Sequence, residues 1–217
     1  MYPPERLEPL QQGWARLLER YKIPAGDAYP VFDLLVAAYS APDRHYHTLE
    51  HLAEMFRVAA RLGSITDDPA ALHLAVWFHD AVYDPRANDN EARSADLAVT
   101  LLGPVGVPAS ELDRVSRLIH ATAHLSGHRP PADRDTTILL DADLAVLGAA
   151  DDRYRRYAAD VRREYAWVPD AEYRKGRAAV LEHFLARPRI FWHERTFAEG
   201  EARARDNMLA ELAALGG

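Results

Sequence analysis

Apolar residues recur every three to four positions along almost the whole chain, which is the spacing of one face of an α-helix. The strict alternation of apolar and polar residues that marks a half-buried strand is scarce. The pattern therefore predicts an all-α bundle of about ten helices joined by short polar or proline-containing loops. The predicted helices cover residues 7–21, 29–39, 48–63, 68–83, 90–103, 108–125, 136–148, 151–168, 170–188 and 197–217.

Local signals mark several helix ends. Asp68 followed by Pro69 is typical of a helix start, and Gly63 is typical of the position just after a helix. The stretch "LHLAVWF" in the fourth helix is apolar nearly all round, which predicts a buried central helix. Since no repeat or linker interrupts the pattern, we predict one domain over residues 1–217, in which residues 150–217 form peripheral covering helices.

Composition excludes several kinds of site and partner. The 217 residues carry a formal net charge of −7 without a long basic run, so we predict no nucleic-acid polymer as a partner. The chain has no cysteine, which excludes disulfides, thiolate ligands and a cysteine nucleophile. A secretory-signal pattern and a membrane-length apolar run are both missing, so we expect a cytoplasmic protein. The charged amphipathic helices near the end are compatible with either a monomer or a homo-oligomer.

Histidines and aspartates are concentrated in four stretches, "YHTLEH", "FHDAVYD", "IHATAH" and "LLDADLAVLG". His79 and Asp80 follow the apolar "LAVWF", and a buried ionisable pair is costly unless a cation compensates it. Asp141 and Asp143 lie among leucines, so both cannot easily avoid the apolar face. We predict Asp143 as a metal ligand, whereas Asp141 either supports the site from behind or is solvated.

Two further pairs of histidines have helical spacing. His47 and His51 are four residues apart, as are His120 and His124, and such residues share a face if both lie on one helix. His120 and His124 either face the site or are ordinary core or surface residues. Glu91 either contacts the site or completes a helix capping box.

The available side chains restrict the kind of metal. Imidazole and carboxylate ligands together suit Fe, Mn, Zn, Co or Ni, whereas a carboxylate-rich site with waters suits Mg or Mn. Two histidines and two aspartates would leave positions open for water and for a substrate oxygen, as a catalytic ion requires. We therefore expect a divalent cation, with one or two ions per site.

These motifs resemble the HD superfamily of metal-dependent phosphohydrolases, whose pattern is a histidine, a later His-Asp pair and a distal aspartate in a helical bundle. "YHTLEHLAEMFRVA" is similar to the "YHN-x-x-H-A" stretch of the cyclic-nucleotide phosphodiesterases, and "ADLAVL" and "IHAT" are similar to further segments of those enzymes. The whole chain resembles a small bacterial group of predicted HD phosphohydrolases with "RHYH-x-x-EH", "HD-x-x-YD", "NE-x-x-SA" and "LDADL".

The resemblance implies an HD-type bundle that hydrolyses a phosphoester, such as a nucleotide or another small phosphorylated metabolite. It implies that the metal ligands are His51, His79, Asp80 and Asp143. By the same resemblance, His47 would be the general acid that protonates the leaving oxygen.

The chain departs from the family pattern beyond the His-Asp pair. Many HD enzymes carry a glutamate three residues after the aspartate to orient water, whereas this chain has Tyr83 there, followed by Asp84. Asp84 would lie one helical turn from Asp80, so we expect it either to orient the attacking water as a catalytic residue or to hold a second ion, with Glu91 as an alternative for both roles. Candidates for a second ion or for substrate contact are His120, His124, Glu91 and Asp141. Candidates for substrate binding are Arg44, Asn90 and Ser94.

Three other functions are compatible with parts of the pattern. "HTLEH" matches the H-x-x-E-H motif of a zinc peptidase, with His47 and His51 as ligands and Glu50 as the base, but it leaves the His-Asp pair without a role. Some HD proteins instead hold a di-iron centre and use dioxygen, with the histidines of the sixth helix as further ligands. The third alternative is a non-catalytic ligand-binding module.

Overall fold

The computed structural model describes residues 3–63, 66–126 and 130–216. These residues form ten α-helices and contain no strand, which confirms the predicted all-α bundle. His128, which the sequence places in the polar loop "SGHRPPADRD" and for which we expect solvation, lies outside the described residues. Among the described helices, none combines the length and the hydrophobicity that crossing a membrane requires. The helices are α1 (Pro4–Glu19), α2 (Ala25–Tyr39), α3 (Leu49–Leu62), α4 (Pro69–Phe78), α5 (Asn90–Leu102), α6 (Ala109–Ala121), α7 (Arg134–Asp143), α8 (Asp151–Glu164), α9 (Asp170–Leu185) and α10 (Glu194–Gly216).

The ends of α3 and α4 place candidate site residues outside regular helix. α3 begins at Leu49, so His47 lies in the preceding turn and the expectation of two histidines on one helix face is wrong. α4 ends at Phe78, which leaves His79 as its C-cap residue and Asp80 in the turn beyond. Apolar periodicity did not reveal this early end, because the residues that follow still pack on the same core.

The ends of α6 and α7 also place candidate site residues at or beyond the last turn of a helix. α6 ends at Ala121, and His124 lies in a separate 3₁₀ turn rather than one turn further along the helix. α7 ends at Asp143 and continues as the 3₁₀ helix Leu144–Gly148. Because a 3₁₀ segment places apolar side chains at nearly the same spacing as an α-helix, the sequence pattern runs through the change without a break.

The larger hydrophobic core is built around α4, as predicted. Eight of its ten residues are buried, and the helix packs against α3, α5, α6 and α7. Trp77 meets the rings of Trp14 and Phe32 edge-on, with centroids 5.5 and 5.7 Å away. Burial of each such side chain contributes roughly 1.5–3 kcal/mol, so this helix is a rigid support for the residues at its end.

A second hydrophobic core joins the 3₁₀ helix to the last three α-helices. α10 approaches the 3₁₀ helix so closely that a Cβ atom on Gly148 would lie 2.9 Å from the carbonyl oxygen of Gly200. The amide of Asn207 donates to the carbonyl groups of Leu147 and Ala149, at 2.8 and 3.0 Å. The helices beyond residue 150 are therefore fixed to the segment that directly follows Asp143.

Candidate metal centre and its cavity

Four side chains from three helix ends converge at the boundary of the larger core. His51 comes from the first turn of α3, His79 and Asp80 from the end of α4, and Asp143 from the last residue of α7. The Nε2 atom of His51 lies 3.3 Å from Nε2 of His79 and 3.2 Å from Oδ1 of Asp143. The Nε2 atom of His79 lies 3.1 Å from Oδ2 of Asp80 and 3.7 Å from Oδ1 of Asp143.

The donor chemistry of this cluster fits a divalent cation. Nδ1 of His79 donates to the carbonyl oxygen of Val76 at 2.9 Å, so in the neutral ring Nε2 presents a lone pair to the cluster. Such a bond from the other ring nitrogen is typical of histidine ligands. One ligand atom each from His51, His79 and Asp80 lie within 4.8 Å of one another, about the span of ligands bound at roughly 2.0–2.2 Å. These residues form a possible metal-binding triad, and Asp143 adds a fourth oxygen donor.

The electrostatics of the cluster favour positive charge. Burial opposes protonation of His79, but Asp80 and Asp143 outweigh it and raise the pKa of His79 to about 9. Burial dominates at His51 and lowers its pKa, although its hydrogen bond to Asp143 acts in the opposite direction. Burial would raise the pKa of both carboxyl groups, but the adjacent imidazoles hold those values well below the usual range. Two carboxylates are therefore held ionised beside rings that can offer lone pairs.

His47 stands beside the cluster on the side of a cavity, with its two nitrogens in different surroundings. Its Nε2 atom lies 3.9 Å from Oδ2 of Asp80, and its Nδ1 atom is 2.7 Å from Oε2 of Glu164. Burial lowers the pKa of His47, but the hydrogen bond and charge of Glu164 outweigh it and raise the value overall. A protonated ring at this position can deliver a proton from Nε2 while Glu164 stabilises the other nitrogen.

Glu164 is a site residue that sequence reasoning missed. Its Oε1 atom accepts the backbone N–H groups of residues 45, 46 and 47 at 2.8, 2.7 and 3.0 Å, so it fixes the turn that carries His47. Burial would raise the pKa of Glu164, but these bonds and His47 lower it to about 2. Glu164 ends a charged helix in which it resembles every other acidic position, so no local motif marks it.

Tyr83, three residues after Asp80, packs against His47. The two ring centroids are 4.1 Å apart, and the hydroxyl of Tyr83 donates to Oε2 of Glu164 at 3.1 Å. Asp84, the predicted catalytic residue, is exposed instead, and its carboxylate accepts the N–H of Arg86 at 2.9 Å. The Asp84 side chain therefore lies on the surface rather than in the cluster. The water-orienting role assigned to it has no structural support.

Two of the predicted substrate-binding residues are engaged in holding the backbone. Arg44 is buried, and its guanidinium donates to the carbonyl oxygens of Asp80, Ala81 and His47 at 2.7, 3.0 and 3.3 Å. Ser94 is fully buried and exchanges hydrogen bonds with the backbone of Val82. Neither lines the cavity, so we correct both assignments: Arg44 joins the turn of His47 to the turn of Asp80.

Asp141 also points away from the cluster. Its carboxylate accepts the N–H groups of Trp192 and His193, both at 2.8 Å, and the hydroxyl of Thr196. Residues two apart near the end of a helix lie on different faces. Asp143 therefore faces the cluster, whereas Asp141 holds the segment that begins α10. The expectation of a second ion or of substrate contact at Asp141 is therefore corrected.

The remaining candidates divide between the cavity and the surface. His124 lines the cavity, and its Nε2 atom lies 2.8 Å from Oδ2 of Asp143. Glu91 and Asn90 also line it, but the amide of Asn90 is bonded to the backbone of Asp84. His120 is exposed on α6 and is not among the lining residues, because the helix ends between it and His124.

The cluster opens into a cavity of about 720 Å³, within the size range of small-molecule sites. His47, Asp80, His124 and Asp143 line it on the side of the cluster, and residues of α5, α8, α9 and the 3₁₀ helix line the rest. A small substrate can therefore reach the cluster directly from this cavity.

Comparisons with known proteins add nothing to this geometry. No protein-family model, curated protein or solved structure matches the chain significantly.

Proposed function

We propose that the protein is a metal-dependent phosphohydrolase of the HD type, acting on a small phosphorylated metabolite. The observation that carries this proposal is the convergence of two imidazole nitrogens and two carboxylates beside a third imidazole on the cavity side. A site that only stores a cation has no need for an adjacent proton donor that is itself held by a buried glutamate.

Each of these residues has a definite part in the proposed reaction. A divalent ion bound by His51, His79, Asp80 and Asp143 supplies Lewis-acid activation of water and of a phosphoryl oxygen. As the bond between phosphorus and the leaving oxygen breaks, His47 donates its Nε2 proton to that oxygen. General-acid assistance of this kind contributes on the order of 10²–10⁴-fold in rate.

A broad phosphoester screen with Mn, Mg, Fe, Co, Ni and Zn tests the proposal. The wild type should release phosphate from at least one ester with at least one of these metals, whereas Asp80→Ala should lose both bound metal and turnover. Asp89→Ala is the control and should keep both, because Asp89 is an exposed aspartate outside the cavity lining, with a salt bridge of 3.7 Å to Arg93. Turnover that persists in Asp80→Ala, or a wild type inactive on every ester, would contradict the proposal.

The contact between His124 and Asp143 favours a second candidate, in which two ions are bound. His124 Nε2 lies 2.8 Å from the Asp143 oxygen that faces away from His51, so it offers one further nitrogen donor. Two iron ions per chain, with an electronic absorption that changes on exposure to air, would favour an oxygenase over a hydrolase. One ion per chain, combined with phosphate release, would favour the hydrolase.

The zinc-peptidase alternative receives no such support. Glu50, which would be its general base, forms a salt bridge with Arg6 at 2.6 Å on the protein surface. His47, its first zinc ligand, is bonded to Glu164 through Nδ1 and precedes the helix that carries His51.

A further inference from the structure

The cavity beside the cluster has one strongly apolar wall. The side chains of this wall come from the 3₁₀ helix, α8 and α9. We call them the apolar wall: Leu147, Tyr157, Val161, Tyr173, Val180 and Phe184. Such a wall favours a ligand group that buries hydrocarbon rather than one that carries charge.

The cavity also has no free cationic side chain among the described residues that line it. Arg177 is the one arginine in that lining, which includes no lysine, and its guanidinium is bound to Glu211 at 2.7 and 3.0 Å and to the hydroxyl of Tyr157. Glu91 and Glu172 add negative charge. Beyond the phosphoryl group at the metal, a further phosphate would meet acidic side chains without a counter-charge, which is unfavourable at close range.

Gly176 lies at the exposed rim of the cavity. It lies inside α9, where glycine costs about 1 kcal/mol relative to alanine, and its backbone is ordinary helix. A Cβ atom at this position would meet no atom within 4 Å, so close packing does not require a glycine. Since Gly176 lines the cavity where it meets solvent, the effect of the missing side chain is to leave the mouth of the cavity wider.

From these three observations we propose that the cavity is a leaving-group pocket for phosphate monoesters of bulky, largely apolar alcohols, and that Gly176 sets the size it accepts. This inference rests on the proposed function, since it names the substrate class of the same site. A pocket of this kind excludes nucleoside di- and triphosphates and other polyphosphates as preferred substrates.

A series of alkyl phosphates tests the pocket without changing the chemistry of the leaving oxygen. Ethyl, butyl and hexyl phosphate have leaving alcohols of similar basicity, so a rise in kcat/KM along the series reports binding of hydrocarbon. We expect about fourfold per added methylene group that is buried, and hexyl phosphate should exceed ATP. A flat series, or a preference for ATP, would overturn the inference.

Filling the cavity at Gly176 gives the matching variant. Gly176→Phe should lower the ratio of kcat/KM for hexyl over ethyl phosphate at least tenfold, and Gly176→Ala should lower it less. Gly13→Phe is the control, because Gly13 is also a helical glycine with no atom within 4 Å of its Cβ position, but it lies on α1 away from the cavity. A hexyl-to-ethyl ratio that is the same in Gly176→Phe and Gly13→Phe would contradict the role of Gly176.

A binding measurement separates this inference from the proposed function. Hexylphosphonate and ethylphosphonate cannot be hydrolysed at the P–C bond, and calorimetry with the metal-loaded protein reports their affinities. Stronger binding of hexylphosphonate that is lost in Gly176→Phe, with no ester hydrolysed, would support the pocket and refute the hydrolase. If esters are hydrolysed, but neither kcat/KM for the esters nor affinity for the phosphonates depends on chain length, the hydrolase is supported and the pocket is refuted.

Discussion

The Nε2 atoms of His51 and His79 lie 3.3 Å apart, although the residues are 28 positions apart in the chain and extend from different helices. His79 already uses Nδ1 to donate to the carbonyl of Val76, so once the ring is neutral its Nε2 atom has a lone pair available for the cluster. Two buried imidazoles in this arrangement are stable together when a proton or a cation lies between them and the adjacent carboxylates. A divalent ion would satisfy both rings and both carboxylates at once.

Binding of Mn²⁺ should therefore stabilise the folded protein. At a free ion concentration about 100 times Kd, the gain is about 2.7 kcal/mol, which raises Tm by roughly 5–10 °C for a chain of this size. The measurement is thermal unfolding with Mn²⁺ and after chelation. His51→Ala should remove the shift, whereas His120→Ala, at an exposed position, should keep it. An equal shift in both variants would mean that the ion binds elsewhere.

Asp141 and Asp143 should respond to amidation in opposite ways. Asp143→Asn should lose metal, because its carboxylate faces the ligand cluster. Asp141→Asn should keep metal but lose about 2–4 kcal/mol, because its fully buried carboxylate accepts two backbone N–H groups and a hydroxyl. Metal content and urea unfolding of both variants distinguish them, and the reverse result would exchange the two assignments.

The fold was predictable because each helix buries one apolar face, and this leaves a periodic signal in the sequence. Two members of the possible metal-binding triad were predictable for a related reason: an ionisable pair such as His79 and Asp80 directly after an apolar run is costly without a partner. His51, the third member, was predicted only from the family resemblance. Helix ends were less visible, since turns such as the one at His124 continue the packing of the helix before them. As a result, the helical spacing that paired His120 with His124 predicted a shared face that does not exist.

Residues that depend on distant parts of the chain could not be predicted. Glu164 lies 117 positions from His47, and only the packing of α8 against the turn before α3 brings the two together. Arg44 resembled a phosphate ligand because it precedes the histidine motif. Its guanidinium instead binds two carbonyl groups in the turn after α4 and one in the turn before α3.

His47→Ala should retain metal and lower kcat by about 10²–10⁴-fold, because the variant lacks the proton donor and keeps all four ligands. Glu164→Gln should lower kcat less and leave KM nearly unchanged, because Glu164 holds His47 and does not line the cavity. Steady-state kinetics on the best ester from the screen measure both. Loss of metal in His47→Ala, with metal retained in His51→Ala, would reverse the roles of the two histidines.

Arg44→Met should destabilise the protein by about 2–4 kcal/mol and weaken metal binding. The buried guanidinium satisfies carbonyl groups of both turns at the site, and methionine would leave those groups without donors. Arg44→Lys should not restore stability, because an ammonium lacks the planar fork that reaches several acceptors. Arg93→Met is the control, since Arg93 is half exposed and its salt bridge with Asp89 is 3.7 Å long. Urea unfolding should show a change within about 0.5 kcal/mol for that control.

Glu164 should also make stability depend on pH. Its pKa is lowered from an ordinary value of 4.5 to about 2, so the folded state binds the proton more weakly than the unfolded state does. The resulting stabilisation is present above pH 4.5 and is lost as pH falls towards 2, and it amounts to about 3 kcal/mol when fully present. The difference in unfolding free energy between wild type and Glu164→Gln should therefore be largest near pH 6 and shrink steadily below 4.5. If urea unfolding gives the same difference at pH 6 and pH 3, the buried carboxylate is not the anion that holds the turn of His47.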